Sequence, residues 1–300
     1  MSGSYQVKTS REETVTRALN EHGFLFQDRI TELFAGKNPT KWIIEATEFP
    51  VSLVSQAVHE ETRIDLVLKR RVRAHNVDWH IPVECKRANP DYKTWVFFNQ
   101  RPRIENDSGG SLYIQAGELV GGWDRKGDVP LQKFVTQFSP PEPADVPTFT
   151  YYLETRENPP SKAGSSASTK TLEDAFNQVT LGLIGLGRQL HRSQHFSFRI
   201  VPVVVTTAEV FVADFNIGDV SLQRGEISRA NLKLRPLDWL VVNYAISDVI
   251  SQFAELTRDP ARTLGEHLST FVLRSIFVVR ADKMEAFLNW FDQLADLNLR

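Results

Sequence analysis

Two acidic residues and a lysine, Asp65, Glu84 and Lys86, occupy two neighbouring apolar segments of this 300-residue chain. The segments predict two strands joined by a polar turn. Side chains two residues apart on a strand point to the same face, so Glu84 and Lys86 should share one face. If the hairpin turns at residues 74–75, Asp65 lies opposite Glu84. The pattern therefore predicts an acidic-acidic-basic cluster on one face of a sheet.

Such a cluster suits metal-assisted hydrolysis of phosphodiester bonds. Two adjacent carboxylates repel each other unless a cation joins them. Mg²⁺ takes oxygen ligands and retains several waters, so two carboxylates and solvent can hold it. A lysine beside the ion can orient or deprotonate a water and offset charge on a phosphate. The alternative is a surface hairpin with an ordinary ion pair, because Glu-x-Lys triplets are common.

The sequence of Asp65 followed by Glu84-Cys85-Lys86 resembles the PD-(D/E)xK nuclease superfamily, which includes restriction endonucleases and Holliday-junction resolvases. The resemblance spans residues 10–216. It implies that Asp65, Glu84 and the backbone carbonyl of Cys85 bind Mg²⁺, with Mn²⁺ as a substitute, and that Lys86 assists the attacking water. It further implies that Gln178, in the segment AFNQ, lines the site from the following helix. An ordinary helix-surface glutamine is the alternative for Gln178.

The resemblance implies a core in the order helix, strand, strand, strand, helix, strand. Apolar residues at helical spacing and runs of β-branched residues predict the segments that complete this order. They are a helical region over 10–35 with a break at Gly23, a first strand over 41–54, a helix over 171–193 and a buried strand over 199–206.

The expected fold class is α/β, with a restriction-endonuclease-like mixed sheet flanked by helices. We assign residues 1–216 to the nuclease-like core, interrupted by an insertion over 89–170 that we expect to reach over the active face. Residues 217–300 form a C-terminal α/β extension packed on the same core, with a separate domain as the alternative. Further strands are predicted at 93–98, 148–153, 210–215, 239–244 and 275–279, a flexible linker at 157–169, and helices near 248–256 and 283–297.

A third acidic ligand is not identified by the sequence. Relatives commonly supply one from the first helix, where Gln27 here occupies a position at which an acid is common. The open candidates on the helical region are Glu13, Glu21, Gln27 and Asp28, and those near strand ends are Glu48 and Glu61.

The net charge of −2 does not predict a general nucleic-acid binder, although a local patch can bind a backbone. The basic run near the hairpin turn supplies a candidate patch, and a solvated turn is the alternative. The possible nucleic-acid contacts in this run are Lys69, Arg70, Arg71 and Arg73.

Several other chemistries are disfavoured. Cys85 is the only cysteine, which excludes a disulfide or a cysteine-rich zinc site within the chain. The histidines show no HExxH spacing, and His191 and His195, four apart, have no evident third ligand. No nucleophile elbow is present. No apolar run is typical of a signal peptide or a membrane span, which predicts a cytoplasmic protein without membrane contact.

The sequence thus predicts a Mg²⁺-dependent nuclease that acts on nucleic acid, with DNA as the expected substrate. By analogy, restriction or phage defence is the expected setting, with a homodimer or a defence-system partner protein left open. The alternatives are a catalytically silent nucleic-acid-binding or complex-assembly module of the same fold, and a structural α/β protein.

Overall fold

The computed structural model describes residues 10–21, 23–35, 41–54, 59–72, 77–100, 116–124, 127–136, 148–156, 167–193, 197–245 and 273–297. The helices in these ranges are α1 (Arg11–Glu21), α2 (Phe24–Ala35), α3 (Lys170–Ser193) and α4 (Met284–Leu297), with short 3-10 helices at Ile217–Asp219, Arg229–Asn231 and Ala281–Lys283. None of the helices in these ranges combines the length and apolar content needed to cross a lipid bilayer.

The fold is α/β, with an open mixed sheet flanked by helices. Fourteen strands in the described ranges join one sheet. They are β1 (Ile43–Val54), β2 (His59–Val72), β3 (Val77–Lys86), β4 (Thr94–Gln100), β5 (Ala116–Asp124), β6 (Gly127–Thr136), β7 (Thr148–Thr155), β8 (Ala167–Ser168), β9 (Ser197–Ile200), β10 (Val203–Thr206), β11 (Glu209–Asp214), β12 (Lys233–Pro236), β13 (Trp239–Ala245) and β14 (Leu273–Arg280).

Strand β3 is the junction of this sheet. Strands β1, β2 and β3 form an antiparallel meander, and the other edge of β3 pairs in parallel with β9 and then β10. From β10 the sheet continues through β14, β13, β7, β4, β11 and β12. From β9 it continues through β5 and β6, while β8 pairs with β7. Helix α3 follows β8 in the chain and leads into β9 and β10, which lie beside β3.

The register of β2 on β3 is the one predicted from the sequence. Leu66 pairs with Val83 and Val72 pairs with Val77, so the pairing is symmetric about residues 74–75. The turn at 73–76 itself lies outside the described ranges. The pairing ends at Leu66 and Val83, and one further residue on each strand leads to Asp65 and Glu84, so the two acids lie at the same end of adjacent strands.

Helix α3 packs against the face of the sheet that carries these acids. A Cβ added to Gly182 would lie 2.5 Å from Ile64 Cδ1, and one added to Gly185 would lie 2.2 Å from Val51 Cγ1. Only glycine permits the helix to approach β1 and β2 so closely. The buried Glu154 carboxylate accepts hydrogen bonds from the first-turn N–H groups of Thr171 and Leu172, at 2.7 and 3.2 Å, so the helix start is also fixed.

The opposite face of the sheet is covered by α2 and α4. An aromatic cluster lies there and packs α4 against the meander and the central strands, with ring centroids 5.2–6.4 Å apart. The buried members of the cluster are Trp42, Trp79, Phe277, Phe287 and Phe291.

Two of the expectations about local structure are corrected. The predicted strand over 199–206 is divided into β9 and β10 at Val201 and Pro202, since proline has no N–H to donate to a ladder. The segment 89–170 was expected to reach over the active face, but β4, β7 and the β5–β6 hairpin lie within the sheet. Strands β5 and β6 were not predicted.

Several other local expectations are confirmed. The helical region breaks at Gly23, whose φ is +76°, as predicted. At the start of α1, Ser10 and Glu13 form the reciprocal hydrogen bonds of a capping box, which adds to the stability of this helix. Strands β12, β13 and β14 of the C-terminal segment belong to the same sheet. The helix predicted near 248–256 and most of the linker predicted at 157–169 lie outside the described ranges.

Candidate active site

The structure brings Asp65, Glu84 and Lys86 together at the end of the β2–β3 pair. Lys86 Nζ lies 2.8 Å from Glu84 Oε1, as expected for residues two apart on one strand. Asp65 Oδ2 accepts a hydrogen bond of 2.7 Å from the backbone N–H of Cys85. Two acids and a lysine are therefore held by adjacent backbone segments, as the register predicted.

Gln178 joins this cluster from α3. Its Oε1 accepts a hydrogen bond from Lys86 Nζ at 2.5 Å. Gln178 lies one turn before Gly182, so the close approach of α3 to the sheet is what carries the amide to the lysine. Lys86 uses two of its three N–H donors on Glu84 and Gln178, and one remains for a water or a phosphate oxygen.

Burial and like charge perturb both acids. Glu84 is 2% exposed, and burial raises its pKa to about 7; the Asp65 charge adds to the rise and Lys86 opposes it. Burial also raises the pKa of Asp65, against the hydrogen bond from Cys85 and the charge of Lys86. Glu84 Oε2 is buried and has no hydrogen-bond partner. A buried carboxylate oxygen without a donor is the environment that a cation would satisfy.

A third acid, Glu48, lies beside these residues on β1. Thr47 pairs with Leu66 and Phe49 pairs with Ile64, so the register neighbour of Glu48 on β2 is Asp65. The charge of Glu48 adds to the raised pKa of both Asp65 and Glu84.

The backbone of Glu48 has a φ of +48°, which is unusual for a residue other than glycine. The Gln27 amide of α2 donates to Glu48 Oε1 and, at 3.3 Å, to the backbone carbonyl of Asp65.

The structure describes the side chains of three of the other candidate acids, Glu13, Asp28 and Glu61. Glu13 is used in the capping box with Ser10. Asp28 is exposed on α2, and Glu61 is exposed on β2, four residues from Asp65. The side chain of Glu21 lies outside the described part of the chain. Among the described side chains of the helical candidates, Gln27 is the one that hydrogen-bonds to the site, and it brings an amide rather than an acid.

Most of the expected basic patch is already paired within the protein. Lys69 Nζ lies 3.0 Å from Asp78 and 3.4 Å from Glu45. Arg71 Nε lies 3.7 Å from Asp78, with the arginine side chain 42% exposed. Arg71 therefore remains a possible contact with a phosphate, whereas Lys69 is engaged by two carboxylates. Arg73 lies outside the described ranges.

The expectation that Arg70 contacts nucleic acid is wrong. It is 5% exposed, and its Nη1 lies 2.9 Å from Asp292 Oδ1 of α4. Trp42 Nε1 donates to the same carboxylate oxygen at 2.8 Å. Arg70 faces the side of the sheet opposite to the acids because it alternates with Lys69 and Arg71 along β2. It is a structural residue that joins β2 to α4.

The sulfur of Cys85 faces the core on the α2 and α4 side, as predicted from strand alternation. Burial and the charges of Asp65 and Glu84 raise the pKa of its thiol well above the usual value. A thiol held protonated in this way is a poor nucleophile. The role predicted for its backbone carbonyl as a metal ligand stays a prediction.

Two further polar side chains share the acid-bearing face of β3 and were not identified from the sequence. Asp78 and His80 have the same strand parity as Glu84, and both are buried. His80 Nδ1 lies 2.6 Å from Glu45 Oε2 on β1. In the segment VDWHIPVECK, polar residues alternate with apolar ones and could have indicated this shared face. Pro82 interrupts the alternation, however, and Glu45 could not be predicted as a partner because it lies at a bulge in β1.

No three His, Cys, Asp or Glu side chains in the described ranges lie close enough together to hold a metal ion as they stand. Asp65 and Glu84 alone would leave most of a cation's coordination to water and substrate oxygens. The chain matches no protein-family model, no curated protein and no solved structure at a significant level.

Proposed function

We propose that this protein is a metal-dependent nuclease that hydrolyses phosphodiester bonds, with DNA as the expected substrate. The observation that carries the proposal is the continuous contact from Glu84 to Lys86 to Gln178, beside an Asp65 that is bonded to Cys85. A structural ion pair on a hairpin gives no reason for a glutamine from a crossover helix to meet the same lysine.

The order of elements supports the finer fold proposal of a restriction-endonuclease-like core. Two helices precede the β1–β2–β3 meander, α3 follows it, and β9 and β10 return parallel to β3. The acids lie on the second and third strands of this arrangement, and the lysine lies on the third. This is the order implied by the resemblance.

The residues present fit a hard divalent cation such as Mg²⁺ or Mn²⁺. Asp65 and Glu84 would hold it, because both offer carboxylate oxygens and Glu84 Oε2 has no donor of its own. When bound, the ion would lower the pKa of a coordinated water and offset charge on the phosphate.

The chain's own groups would orient the reactants. Lys86 is an ammonium donor to Glu84 and Gln178, so its remaining N–H can position the attacking water or a non-bridging phosphate oxygen. In the reaction the water oxygen bonds to phosphorus as one phosphorus–oxygen ester bond breaks. The proton released by the water passes to solvent, and the departing alkoxide takes a proton from solvent. Gln178 fixes Lys86 in the required direction.

A catalytically silent nucleic-acid-binding or complex-assembly module is the second candidate. The observation that favours it is the absence, among the residues described, of three metal-ligating side chains at one point. The two candidates differ in one result, which is whether the purified protein breaks phosphodiester bonds when a divalent ion is supplied.

The test is incubation with plasmid, linear duplex and single-stranded DNA and with RNA, in Mg²⁺, in Mn²⁺ and in EDTA. The proposal expects cleavage of at least one nucleic acid in Mg²⁺ or Mn²⁺ and none in EDTA. Glu84→Gln, purified in parallel, should lose the activity, which excludes a contaminating nuclease. Binding without cleavage in every metal would favour the silent module.

A further inference from the structure

A cavity of about 630 Å³ opens beside the candidate active site, where β3 and β10 end. Thr206 is the register partner of Lys86, and the next residue, Thr207, donates its backbone N–H to the Lys86 carbonyl at 3.3 Å. Consecutive residues lie about 3.8 Å apart, so the cavity begins within one or two residues of this lysine. The residues that line it are Arg87, Ala88, Pro90, Lys93, Thr207 and Glu209.

Hydrogen bonds join the walls of this cavity to each other. The Ala88 N–H donates to Thr207 Oγ1 at 2.9 Å, and the Glu209 N–H donates to the Lys93 carbonyl at 2.9 Å. The connection between β3 and β4 is thereby attached at two points to the chain that leads from β10 into β11. Because Thr207 Oγ1 is already an acceptor, its own hydrogen can be donated to a bound ligand.

The charges in the lining favour an anion. In the described part of the chain neither Arg87 nor Lys93 forms an ion pair, and Arg87 Nη1 donates to the neutral backbone carbonyl of Asn20. Glu209 is the acid in the lining, so two basic side chains and one acidic side chain give a net charge of +1. The whole chain carries a net charge of −2, so an anionic polymer requires a local site of this kind.

Two neighbouring features confine the anion site to this cavity. Asp91, which also belongs to the connection between β3 and β4, lies 2.6 Å from Arg156 Nη2, and this ion pair offsets its charge. A second cavity, of about 620 Å³, shares Arg87, but its lining includes two arginines together with the acids Glu12 and Glu13 of α1. Its net charge is therefore zero, which gives it no preference for an anion.

We propose that the cavity bounded by Arg87, Lys93 and Thr207 binds a backbone phosphate of the nucleic acid next to the scissile phosphate. The assignment rests on the proposed function, because it names the surface that holds the substrate of the same site. Guanidinium, ammonium and hydroxyl groups are frequent donors to nucleic-acid phosphates. In the basic run of β2, by contrast, Arg70 is buried in an ion pair and Lys69 is engaged by two carboxylates.

Fluorescence anisotropy of a labelled DNA duplex and of its single strand, measured in EDTA over a range of salt concentrations, tests the inference without cleavage. Lys93→Ala should weaken binding by about fivefold to tenfold at roughly 0.1 M salt and lower the salt slope by about 1, as expected for one lost phosphate contact. Lys93 is exposed, and its side chain forms no hydrogen bond or ion pair with the residues described, so the fold should be unaffected. The matched control is Lys233→Ala, an exposed lysine of β12 that does not line the cavity and should bind like wild type.

Glu209→Gln should change the affinity in the opposite direction. It removes the acid from the lining, so the same probe should bind about twofold to fivefold more tightly, because a nearby like charge repels a phosphate. The matched control is Glu226→Gln, an exposed glutamate between β11 and β12 that does not line the cavity. This control makes the same change in net charge and should bind like wild type, which separates a local effect from one of total charge.

The possible results separate the inference from the proposed function. Weaker binding by Lys93→Ala and tighter binding by Glu209→Gln, with both controls unchanged, would support the inference. Wild-type affinity in both variants, or equal shifts in variants and controls, would overturn it and leave the proposed function to the separate cleavage assay. Wild type that binds neither probe and cleaves no nucleic acid would overturn both.

Discussion

Asp65 Oδ2 accepts a hydrogen bond of 2.7 Å from the backbone N–H of Cys85, the residue between Glu84 and Lys86. This bond fixes an acid of β2 to the strand that carries the other acid and the lysine. It also orients the Asp65 carboxylate independently of any bound ion. Under the proposed function, this bond would set part of the site's geometry before a cation or a substrate arrives, as electrostatic preorganisation requires.

The buried Glu84 makes the metal-free protein less stable as pH rises. Its folded-state pKa is about 7, against 4.5 for the ordinary group, so the folded state binds the proton more tightly. The stabilisation from protonation is complete below about pH 4.5 and is lost as pH rises through 7. Glu84→Gln should remove this dependence, and the stability difference between the two proteins should change by up to about 3 kcal/mol across that interval.

Urea unfolding in EDTA at a series of pH values measures this difference. Titrating groups remote from Glu84 are common to both proteins and cancel in the comparison, whereas Asp65, whose charge acts on Glu84, contributes to the difference. Parallel stability curves for wild type and Glu84→Gln between pH 4.5 and 8 would contradict a raised pKa for Glu84. Added Mg²⁺ should reduce the loss of wild-type stability at high pH, because the ion favours the ionised carboxylate.

The close contact of α3 with β2 predicts the effect of Gly182→Ala. The new Cβ would lie 2.5 Å from Ile64 Cδ1, so the helix or the isoleucine must shift, at a cost of about 1–3 kcal/mol. Gln178 lies on the same helical face and should move away from Lys86, which would lower activity as well as stability. Urea unfolding and the cleavage rate measure the two effects.

A double-mutant cycle identifies Ile64 as the cause. Ile64→Ala alone should lower the free energy of unfolding. In the Ile64→Ala background, however, Gly182→Ala should cost about 1–2 kcal/mol less than it does in wild type. If Gly182→Ala instead stabilises the protein, by the roughly 1 kcal/mol expected from helix propensity, α3 does not pack as described.

Arg70 and Arg71 are neighbours in sequence but should respond differently to substitution. Arg70→Ala leaves Asp292 buried without its cation and should cost about 3–5 kcal/mol, measured as a lower thermal midpoint. Arg71→Ala should leave the fold intact. If the hairpin touches phosphates, Arg71→Ala should also weaken DNA binding and reduce its salt dependence. An unchanged thermal midpoint for Arg70→Ala would contradict the buried pair with Asp292.

Strand alternation and hairpin symmetry were sufficient to predict the core of the site. These two rules predict the register of Asp65 against Glu84 and the face of the sheet on which the Cys85 side chain lies, because both depend on the two-residue repeat of a strand. Gln178 was found from the resemblance and not from the periodicity of α3.

The contacts that were missed depend on tertiary packing. Gln27 meets Glu48 because α2 folds over β1, and no local pattern specifies that crossing. The sequence grouped Arg70 with the other residues of a basic run. Strand alternation places its side chain on the opposite face of β2 from those of Lys69 and Arg71, where it pairs with Asp292 of α4. Asp292 lies more than two hundred residues from Arg70 in sequence, so this ion pair could not be predicted without the fold.

The most direct test of the central claim is the cleavage rate of Lys86→Ala, with nucleic-acid binding measured on the same preparation. In the proposed reaction Lys86 acts on the water and the developing phosphate charge, so its loss should lower the rate by about 10²–10³ while binding is retained. Asp65→Ala should be at least as damaging, and Lys233→Ala, an exposed lysine on β12 at the far edge of the sheet, should cleave like wild type. Cleavage by Lys86→Ala and Asp65→Ala at the wild-type rate, in preparations free of contaminating nuclease, would contradict the account.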